Sequence, residues 1–384
     1  MRLRRTPWPR REDRYPGILR SWMGQAVSFL LTAFSTRSKK LPATHLLQKV
    51  DDLIVILPQG LGDLVMARPA LLALFAAVPA ARKTILVQAR ISDFAKILYP
   101  QAYVVSLEFP RLKDGVWRLL KKFMGFYRLL RDVGRHSLAV LPYPDLRNSI
   151  ISLVVRARIR VGFSISGSGF LLTHCLPSRT GLVRRGEWMC DISRAFGVEP
   201  LWIRVSLDES VENDLRRRLP LPRRFVVIHP GAREPLRRLP MDALRTVCRR
   251  LRGAGLRVIV IVPPDYPEAE SIDVASRIRT KQAEELIYIL SSAAVAVCMD
   301  SGAMHLAHAT GTPTVGIFTQ NTPQRVAPVG PTPFVAVEPS QPLQCRPCLR
   351  IRCKSCACRD SIDCEEIVRA VLLLLKEKAE ANDE

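Results

Sequence analysis

The stretch that decides the fold is residues 53–63, which read LIVILPQGLGD. The opening run is apolar and rich in β-branched residues, as is typical of a strand buried on both faces of a parallel sheet, and Pro58 ends it. The two glycines that follow allow the backbone to approach a ligand closely. A helical pattern then runs from about Leu64 to Ala77. A strand, a glycine turn and a helix in this order predict the first unit of a doubly wound α/β fold.

Short apolar runs and amphipathic segments alternate along the rest of the chain, on both sides of a polar, proline-containing stretch at residues 206–224. We therefore predict two Rossmann-like domains with parallel sheets, at residues 51–215 and 216–384, after an N-terminal extension at residues 1–50. The predicted strands are residues 84–88, 104–105, 138–141, 225–228, 256–262, 295–299 and 314–318, and the predicted helices are residues 115–135, 241–253, 283–293, 305–310 and 364–378.

The composition indicates an anionic partner. Lysine and arginine outnumber aspartate and glutamate by 58 to 35 in 384 residues, which gives a formal net charge of +23. Arginine pairs such as Arg184/Arg185, Arg217/Arg218 and Arg249/Arg250 are typical of solvated faces, and no nucleic-acid motif is present. Nucleic acid is therefore not the expected partner.

The N-terminal extension carries eleven basic residues against Glu12 and Asp13, and it contains an uncharged, largely apolar segment at residues 21–36. This segment is shorter than the roughly 20 apolar residues that a spanning helix needs. It also lacks the small-x-small cleavage site of a signal peptide. We favour an amphipathic helix on an anionic membrane surface, with a packed or unstructured extension as the alternative. The basic helix at residues 115–135 fits two roles equally well, covering the sheet or facing a membrane or acceptor.

A second constellation, residues 300–305, reads DSGAMH and lies between a predicted strand and a predicted helix. Asp300 and Ser301 are suited to cap that helix, while Gly302 opens space beside its N-terminus, so that an anionic diphosphate can rest there. His305 can donate to a phosphate oxygen. Taken alone, the segment is better explained as a satisfied helix cap with a packed histidine.

The two constellations occur together with further short motifs in a fixed order. The motifs are Gly60-x-x-Asp63, His229-Pro230-Gly231-Ala232, Asp300 to His305, Gly311-Thr312-Pro313 and Pro328-Val329-Gly330-Pro331. In this order and spacing they resemble the lipopolysaccharide heptosyltransferase family, glycosyltransferase family 9, over roughly residues 51–372. The resemblance implies the GT-B type of α/β fold, in which two Rossmann-like domains face each other and the second binds the nucleotide-sugar donor. It also implies inversion at the anomeric carbon without a catalytic metal.

The resemblance assigns roles to single residues. It makes Asp63 the general base that takes the proton from the acceptor hydroxyl, with Gly60 and Gly62 leaving room for the reacting sugars. Arg237 stands where the family has a lysine that neutralises the donor phosphates. The residues implied to bind the donor are Gly60, Gly62, Arg237, Glu268, Asp300, Ser301, Gly302, Met304 and His305, with Glu270 as the alternative to Glu268 on the nucleotide ribose.

The sequence departs from the family pattern at several places. Leu239 replaces a tryptophan, Ala303 replaces a proline, and Arg68 replaces a small hydroxyl residue, where it would either contact an anionic acceptor or alter the pocket. Residues 271–282 look shorter than the matching strand and loop. We therefore expect part of the donor pocket to be rebuilt.

Six of the ten cysteines lie between Cys345 and Cys364. A single local cluster in a long chain differs from a secreted disulfide scaffold and favours a reducing, cytoplasmic setting. Relatives carry similar cysteines, and the resemblance implies a structural zinc or iron site, with reduced or disulfide-linked cysteines as the alternative. The matching positions are Cys345, Cys348, Cys353 and Cys358.

The leading hypothesis is thus a transferase that moves heptose from ADP-heptose to an anionic, lipid-linked saccharide at the cytoplasmic face of the inner membrane. A second hypothesis keeps the fold and the base but changes the donor to another nucleotide sugar, or the acceptor to a protein. A third is a non-catalytic module that uses the transferase fold to bind membrane or nucleic acid.

Overall fold

A computed structural model of the chain describes residues 44–108, 116–163, 168–176, 183–264, 266–273, 276–348 and 353–383. The apolar segment at residues 21–36, for which we predict a membrane-surface helix, lies outside the described residues. Within the described residues, none of the helices has both the length and the apolar character needed to cross a bilayer.

Two parallel sheets organise the described part of the chain. The first sheet contains β1 (Asp52–Ile56), β2 (Arg82–Gln88), β3 (Tyr103–Leu107), β4 (Leu138–Leu141), β5 (Ile159–Phe163) and β6 (His174–Leu176). Their order across the sheet is β3-β2-β1-β4-β5-β6, and the neighbouring strands pair in parallel. Residues 53–56 of the central strand β1 are completely buried, as a run of consecutive apolar residues predicts.

The second sheet repeats this arrangement. It contains β7 (Val226–His229), β8 (Val258–Val262), β9 (Ser276–Arg279), β10 (Val295–Met299), β11 (Thr314–Ile317) and β12 (Phe334–Val337). The order is β12-β11-β10-β7-β8-β9, again with parallel pairing. The predicted α/β class with two parallel sheets is confirmed. The first sheet lies within residues 52–176 and the second within residues 226–337, while the exact domain limits stay a prediction.

Helices cover the sheets. The helices described are α1 (Leu61–Met66), α2 (Arg68–Ala77), α3 (Ser92–Leu98), α4 (Val116–Asp132), α5 (Leu146–Val154), α6 (Arg185–Ala195), α7 (Glu209–Arg218), α8 (Met241–Gly253), α9 (Ala283–Ser292), α10 (Gly302–Ala309), α11 (Pro323–Val326), α12 (Ala357–Asp360) and α13 (Cys364–Asp383). The C-terminal helix α13 packs on the second sheet and on α8, where Ile367, Val371 and Leu374 join the core.

Two predicted helix starts were wrong, and both belong to helices that follow the motif loops. The helix predicted from Leu64 begins at Leu61 and is divided at Ala67, because Pro69 lacks an N–H and is accommodated in the first turn of a new helix. The helix predicted from His305 begins at Gly302, so that Asp300 and Ser301 directly precede it.

The strand order places the site. In the first sheet the order in which successive strands are added reverses between β1 and β4, and in the second sheet it reverses between β7 and β10. Ligands of doubly wound sheets bind at such switch points, outside the carboxyl ends of the strands. The loop after β1 holds residues 57–60, the loop after β7 holds residues 230–240, and the loop after β10 holds Asp300 and Ser301. All three motif loops therefore begin at these edges.

Candidate active site

Helices α1 and α10, which follow the central strands of the two sheets, touch at their N-terminal ends. A Cβ atom added to Gly302 would lie 2.8 Å from Cβ of Leu61 and 3.1 Å from the amide nitrogen of Gly62. A Cβ atom added to Gly62 would lie 3.0 Å from Cδ2 of His305. The two glycines therefore bring the helix that carries Asp63 against the helix that begins at Gly302. The space beside Gly62 is already filled by an imidazole ring.

Asp63 lies in the first turn of α1, and both of its carboxylate oxygens accept hydrogen bonds. The amide of Gly60 donates to Oδ2 at 3.3 Å, and the guanidinium of Arg185 donates to Oδ1 at 3.1 Å. Only 15% of the Asp63 side chain and 21% of the Arg185 side chain are exposed. The same guanidinium stands over the ring of Tyr143, 5.4 Å from its centre. The carboxylate is thus both a helix cap and half of a shielded ion pair.

His305 lies in the core of the contact between the two helices. Its burial lowers the pKa of the imidazole to about 4, although the carboxylates of Asp300 and Asp63 act in the opposite direction. The ring is therefore neutral at pH 7 and retains one N–H donor. A neutral histidine can hydrogen-bond to a phosphate oxygen but adds no positive charge.

Asp300 is held in place by side chains from two loops. Arg237 pairs with its Oδ2 at 3.4 Å, and the amide of Asn321 donates to the same oxygen at 3.3 Å. Arg237 also contacts Glu234 at 3.3 Å, so its charge is shared between two carboxylates. Among the described residues, neither Nε of Arg237 nor the hydroxyl of Ser301 has a hydrogen-bond partner, although both atoms are buried. Buried polar atoms without a partner favour the binding of a hydrogen-bond acceptor, such as a phosphate oxygen.

Arg233 adds a positive charge that reaches across the cleft. It lies in the loop after β7 and is exposed, and its NH2 is 3.0 Å from the position that a Cβ atom on Gly60 would take. Asp63 Oδ2 lies 3.7 Å from that same position. Arg233 of the second half and Asp63 of the first therefore border one space. Gly60 keeps that space open.

The predicted ribose ligands differ in their surroundings. Glu268 and Glu270 both lie exposed in the 3-10 helix Pro267–Ser271 after β8. Glu270 is paired with Arg279, whose hydrogen bond lowers the pKa of that carboxyl. Glu268 forms no ion pair with a described residue and stands near Tyr266, whose pKa it raises slightly in addition to the larger effect of burial. The geometry favours Glu268 as the free carboxylate.

Met304 is one predicted donor residue that the structure does not bring to the cleft. Its side chain is fully buried, and its sulfur lies 2.8 Å from the position that a Cβ atom on Gly316 would take. Its amide already donates to the carbonyl of Ser301 at 3.2 Å. Met304 therefore packs α10 onto β11. The sequence motif could not separate this packing role from ligand contact.

Arg68 points away from Asp63, toward the segment that joins the two halves. Its guanidinium donates to the carbonyl of Leu98 at 3.1 Å and to the carbonyl of Ile203. It lines a cleft together with His305, Trp202 and Val329. The substitution at this position therefore alters a cleft that His305 also lines.

The cysteine segment packs beside the loop that follows β11. The backbone amide of Cys348 donates to the carbonyl of Gln320 at 2.9 Å, and the side-chain amide of Gln320 donates to the carbonyl of Cys348 at 2.7 Å. Burial raises the pKa of the Cys358 thiol, and the thiols of Cys345, Cys348 and Cys353, which lie within electrostatic range of it, raise it further. In the part of the chain that the structure describes, no three potential ligands are arranged to hold a metal ion. The four cysteines outside this segment, Cys175, Cys190, Cys248 and Cys298, are buried.

The sequence analysis assigned Arg185 to a solvated face, which is wrong, because its side chain is 21% exposed and pairs with Asp63, and it missed Arg233. Arg185 is 122 positions from Asp63 and belongs to none of the motifs. Arg233 directly follows the His229 to Ala232 motif, and a positive charge after that motif was the available signal. Together with Arg237 they surround the cleft with guanidinium groups, an arrangement suited to a diphosphate.

Comparison with known proteins agrees with this geometry. The model of glycosyltransferase family 9 (heptosyltransferase) matches residues 139–357. A family 9 glycosyltransferase from Veillonella parvula shares the fold with a TM-score of 0.67 and 16% identity, covering 85% of this chain and 98% of that one. The ADP-heptose lipopolysaccharide heptosyltransferase II of E. coli gives a TM-score of 0.66 and 15% identity, covering 85% and 99%.

A third structure is more distant. The iron-containing dodecameric glycosyltransferase TibC from enterotoxigenic E. coli gives a TM-score of 0.51 and 16% identity, covering 88% of this chain and 77% of that one. No curated protein sequence matches this chain significantly. The family model spans more than half of the chain, and the structures confirm the GT-B fold that the motifs imply. The chain belongs to glycosyltransferase family 9, the family of the heptosyltransferases.

Proposed function

We propose that this glycosyltransferase moves heptose from ADP-heptose to an anionic, lipid-linked saccharide of the lipopolysaccharide-core type. The donor is supported by the fold shared with an E. coli enzyme that is named for ADP-heptose. The acceptor class is supported by the net charge of +23 and by the arginines that border the cleft.

The observation that carries the proposal is the common cleft of Asp63 and the start of α10. A carboxylate from the first half stands there within electrostatic range of His305 and near Arg233. A transferase needs these elements: a base for the acceptor, and positive potential for the leaving group.

In the proposed reaction, the acceptor oxygen attacks the anomeric carbon while the bond from that carbon to the diphosphate oxygen breaks. The hydroxyl proton passes to Asp63, and the nucleoside diphosphate leaves with the bonding electrons. The N-terminus of α10, Arg233 and Arg237 stabilise its charge without a divalent cation. Because attack occurs opposite the leaving group in a single displacement, the anomeric configuration is inverted.

The decisive assay incubates the purified protein with ADP-heptose and lipopolysaccharide-core acceptors and measures released ADP and product mass. Asp63→Asn should lower kcat at least about a thousandfold while leaving ADP binding within about twofold, since loss of a base affects the chemical step. Asp93→Asn is the matched control, because Asp93 also lies in the first turn of a helix but is exposed and pairs with Lys96. Full activity of Asp63→Asn would refute the assigned base.

The same assay separates the other hypotheses. A panel of nucleotide sugars tests the donor, and intact-mass analysis of co-expressed proteins tests a protein acceptor. If ADP binds but no sugar moves to any acceptor, the chain is a binding module on a transferase fold.

We further propose that Cys345, Cys348, Cys353 and Cys358 hold a structural zinc or iron ion. The support is that the other three thiols lie within electrostatic range of Cys358, and that TibC is named as iron-containing. A metal there would fix the cysteine segment against Gln320, outside the reacting groups. Elemental analysis of protein purified without chelator should find about one metal per chain, lost in Cys358→Ser but retained in Cys175→Ser.

We place the protein at the cytoplasmic face of the inner membrane as a peripheral enzyme. The support is the basic segment at residues 1–50 and the exposure on α4 of Met124, Tyr127 and Leu129 beside basic residues. The protein should sediment with vesicles that contain anionic phospholipid and stay in solution with neutral ones. Equal behaviour with both would refute membrane association through charge.

A further inference from the structure

We propose that the cleft lined by Arg68 is a second anion-binding site, which takes a phosphate group between the two halves of the molecule. The cleft shares His305 with the candidate active site, but neither Asp63 nor Asp300 lines it. The inference starts from a departure of this chain from the family pattern, since Arg68 stands where a small hydroxyl residue is usual. It goes beyond the proposed function and does not depend on it.

Three parts of the chain meet in this cleft. Met66 and Arg68 belong to the first half, Trp202 and Arg204 to the segment that joins the halves, and residues 328–332 to the loop after α11. The residues that line the cleft include two arginines but no aspartate and no glutamate. The cleft is therefore positively charged and has no counter-ion of its own among its lining residues.

Arg68 is a partly buried cation whose hydrogen bonds go to carbonyl groups. It donates to the carbonyls of Leu98 and Ile203, and no carboxylate of a described residue pairs with it. These bonds use two of the five N–H groups of a guanidinium and do not neutralise its charge. Burial lowers the pKa of Arg68, because the charged form loses hydration there. A cation in such a position favours an anionic ligand.

Arg204 is held beside the cleft by close contact with a glycine. A Cβ atom added to Gly311 would lie 2.9 Å from Cδ and 3.2 Å from Cζ of Arg204. Among the described residues, no hydrogen-bond acceptor or carboxylate pairs with the Arg204 guanidinium. Lys378 lies within electrostatic range of Arg204 and adds to the positive potential. The second guanidinium of the cleft is thus fixed in place with its donors unused.

The motif Pro328-Val329-Gly330-Pro331 forms a wall of this cleft. Gly330 has a φ of +141°, and a Cβ atom added to it would lie 3.1 Å from Cε1 of His308 and 3.1 Å from Cε3 of Trp202. Glycine therefore lets the loop approach both rings. Burial lowers the pKa of His308 to about 4, so its ring is neutral at pH 7 and the charge of the cleft comes from the arginines.

The size and the walls of the cleft limit the class of ligand. Its volume is about 60 Å³, far below the roughly 300 Å³ or more of pockets for drug-sized ligands. A phosphate group fits this class, and guanidinium groups bind phosphate bidentately. Trp202 is 42% exposed and offers an apolar ring surface to the remainder of a larger phosphate ester. The ligand is therefore inorganic phosphate or the terminal phosphate of a small ester.

The test is isothermal titration calorimetry of the full chain with inorganic phosphate, at an ionic strength held constant with sodium chloride. Wild type should bind phosphate, and Arg68→Ser and Arg204→Gln should each weaken this binding at least about tenfold, because each removes one charge-assisted contact. Arg233→Gln, at the proposed donor cleft, should leave it within about twofold of wild type. Arg158→Gln is the matched control, since Arg158 is exposed, precedes β5 in the first sheet and pairs with no described carboxylate.

A second titration distinguishes the two sources of the phosphate group and uses glucose 6-phosphate as the probe. If it binds more tightly than inorganic phosphate and Trp202→Ala removes the difference, the site takes the end of a phosphate ester. If it binds equally or more weakly, the site takes the free ion. Either result supports the site, provided that Arg68→Ser and Arg204→Gln weaken the binding.

The remaining outcomes overturn the inference. They are the absence of phosphate binding to wild type, binding that is unchanged in either well-folded cleft variant, and an equal loss in Arg158→Gln or Arg233→Gln, which indicates diffuse charge or the donor cleft. Thermal unfolding identifies a variant that fails to fold. If Arg68→Ser fails, Arg204→Gln decides alone, because its side chain makes no hydrogen bond to a described residue. No readout uses sugar transfer, so failure of this site leaves the proposed function intact.

Discussion

Replacing Gly302 by alanine should weaken the contact between the two halves of the molecule. The added Cβ atom would meet Cβ of Leu61 at 2.8 Å and the amide nitrogen of Gly62 at 3.1 Å, and neither atom belongs to the flexible end of a side chain. Overpacking of this kind costs about 1–3 kcal/mol. Alanine recovers up to about 1 kcal/mol of helix propensity, and less in a first turn. We expect a net loss of about 1–2 kcal/mol, which lowers the unfolding midpoint by roughly 3–6 °C.

The matched control is Gly125→Ala. Gly125 lies within α4, and no atom of the described residues lies within 4 Å of its added Cβ, so the same substitution should raise stability by up to about 1 kcal/mol. Differential scanning calorimetry measures both variants, and transfer kinetics show whether the displaced α1 carries Asp63 out of position. The reasoning is wrong if Gly302→Ala unfolds at or above the wild-type temperature and retains its kcat/KM.

Three other substitutions test single interactions. Tyr99→Phe removes the buried hydroxyl that donates to the carbonyl of Leu64 at 2.7 Å and should lower the free energy of unfolding by about 1–2 kcal/mol in urea titrations. Burial lowers the pKa of His308 from 6.5 to about 4, so its neutral state contributes stability above pH 6.5 that is lost as the pH falls toward 4. His308→Gln should therefore reduce the loss of stability between pH 7 and pH 4, by up to about 3 kcal/mol. Arg237→Gln leaves the buried Asp300 without its ion-pair partner and should weaken ADP binding about tenfold in calorimetry while lowering stability by about 1–3 kcal/mol.

The sequence predicted the central strands well because their signal is strong. Strands β1, β7 and β10 are uninterrupted apolar runs, and each is buried along almost its whole length. The edge strands β6, β9 and β12 and the internal strand β5 were missed, whereas the edge strand β3 was predicted at residues 104–105. β9 is Ser-Arg-Ile-Arg and mostly exposed, so its membership of the sheet depends on backbone pairing with β8. Such a strand has no hydrophobic pattern to reveal it.

The residues of the candidate site likewise fall into those that the sequence predicted and those that it did not. Asp63 and the segment from Asp300 to His305 were found because their local order matches a family pattern. Arg185 was wrongly assigned to a solvated face, since its contact with Asp63 is formed by chain folding over 122 positions. The role of Gly62 also could not be predicted from the sequence alone. The sequence suggested room for a sugar, whereas the structure shows the glycine in contact with His305.

The contact between Gly62 and Gly302 limits how the two halves can move. Facing domains that bind two substrates commonly close by hinge rotation. Here the helix that carries Asp63 and the helix that begins at Gly302 are already in contact, with the side chains of Leu61 and His305 packed at the contact. A rotation that opened this point would expose His305 and break the packing that keeps its ring neutral. Closure must therefore pivot near this contact and move the outer loops, such as the one with Arg233, by larger distances. The proposed base and the leaving group would then keep a nearly constant separation through the catalytic cycle, while outer loops with charged residues such as Arg233 move into place as the substrates bind.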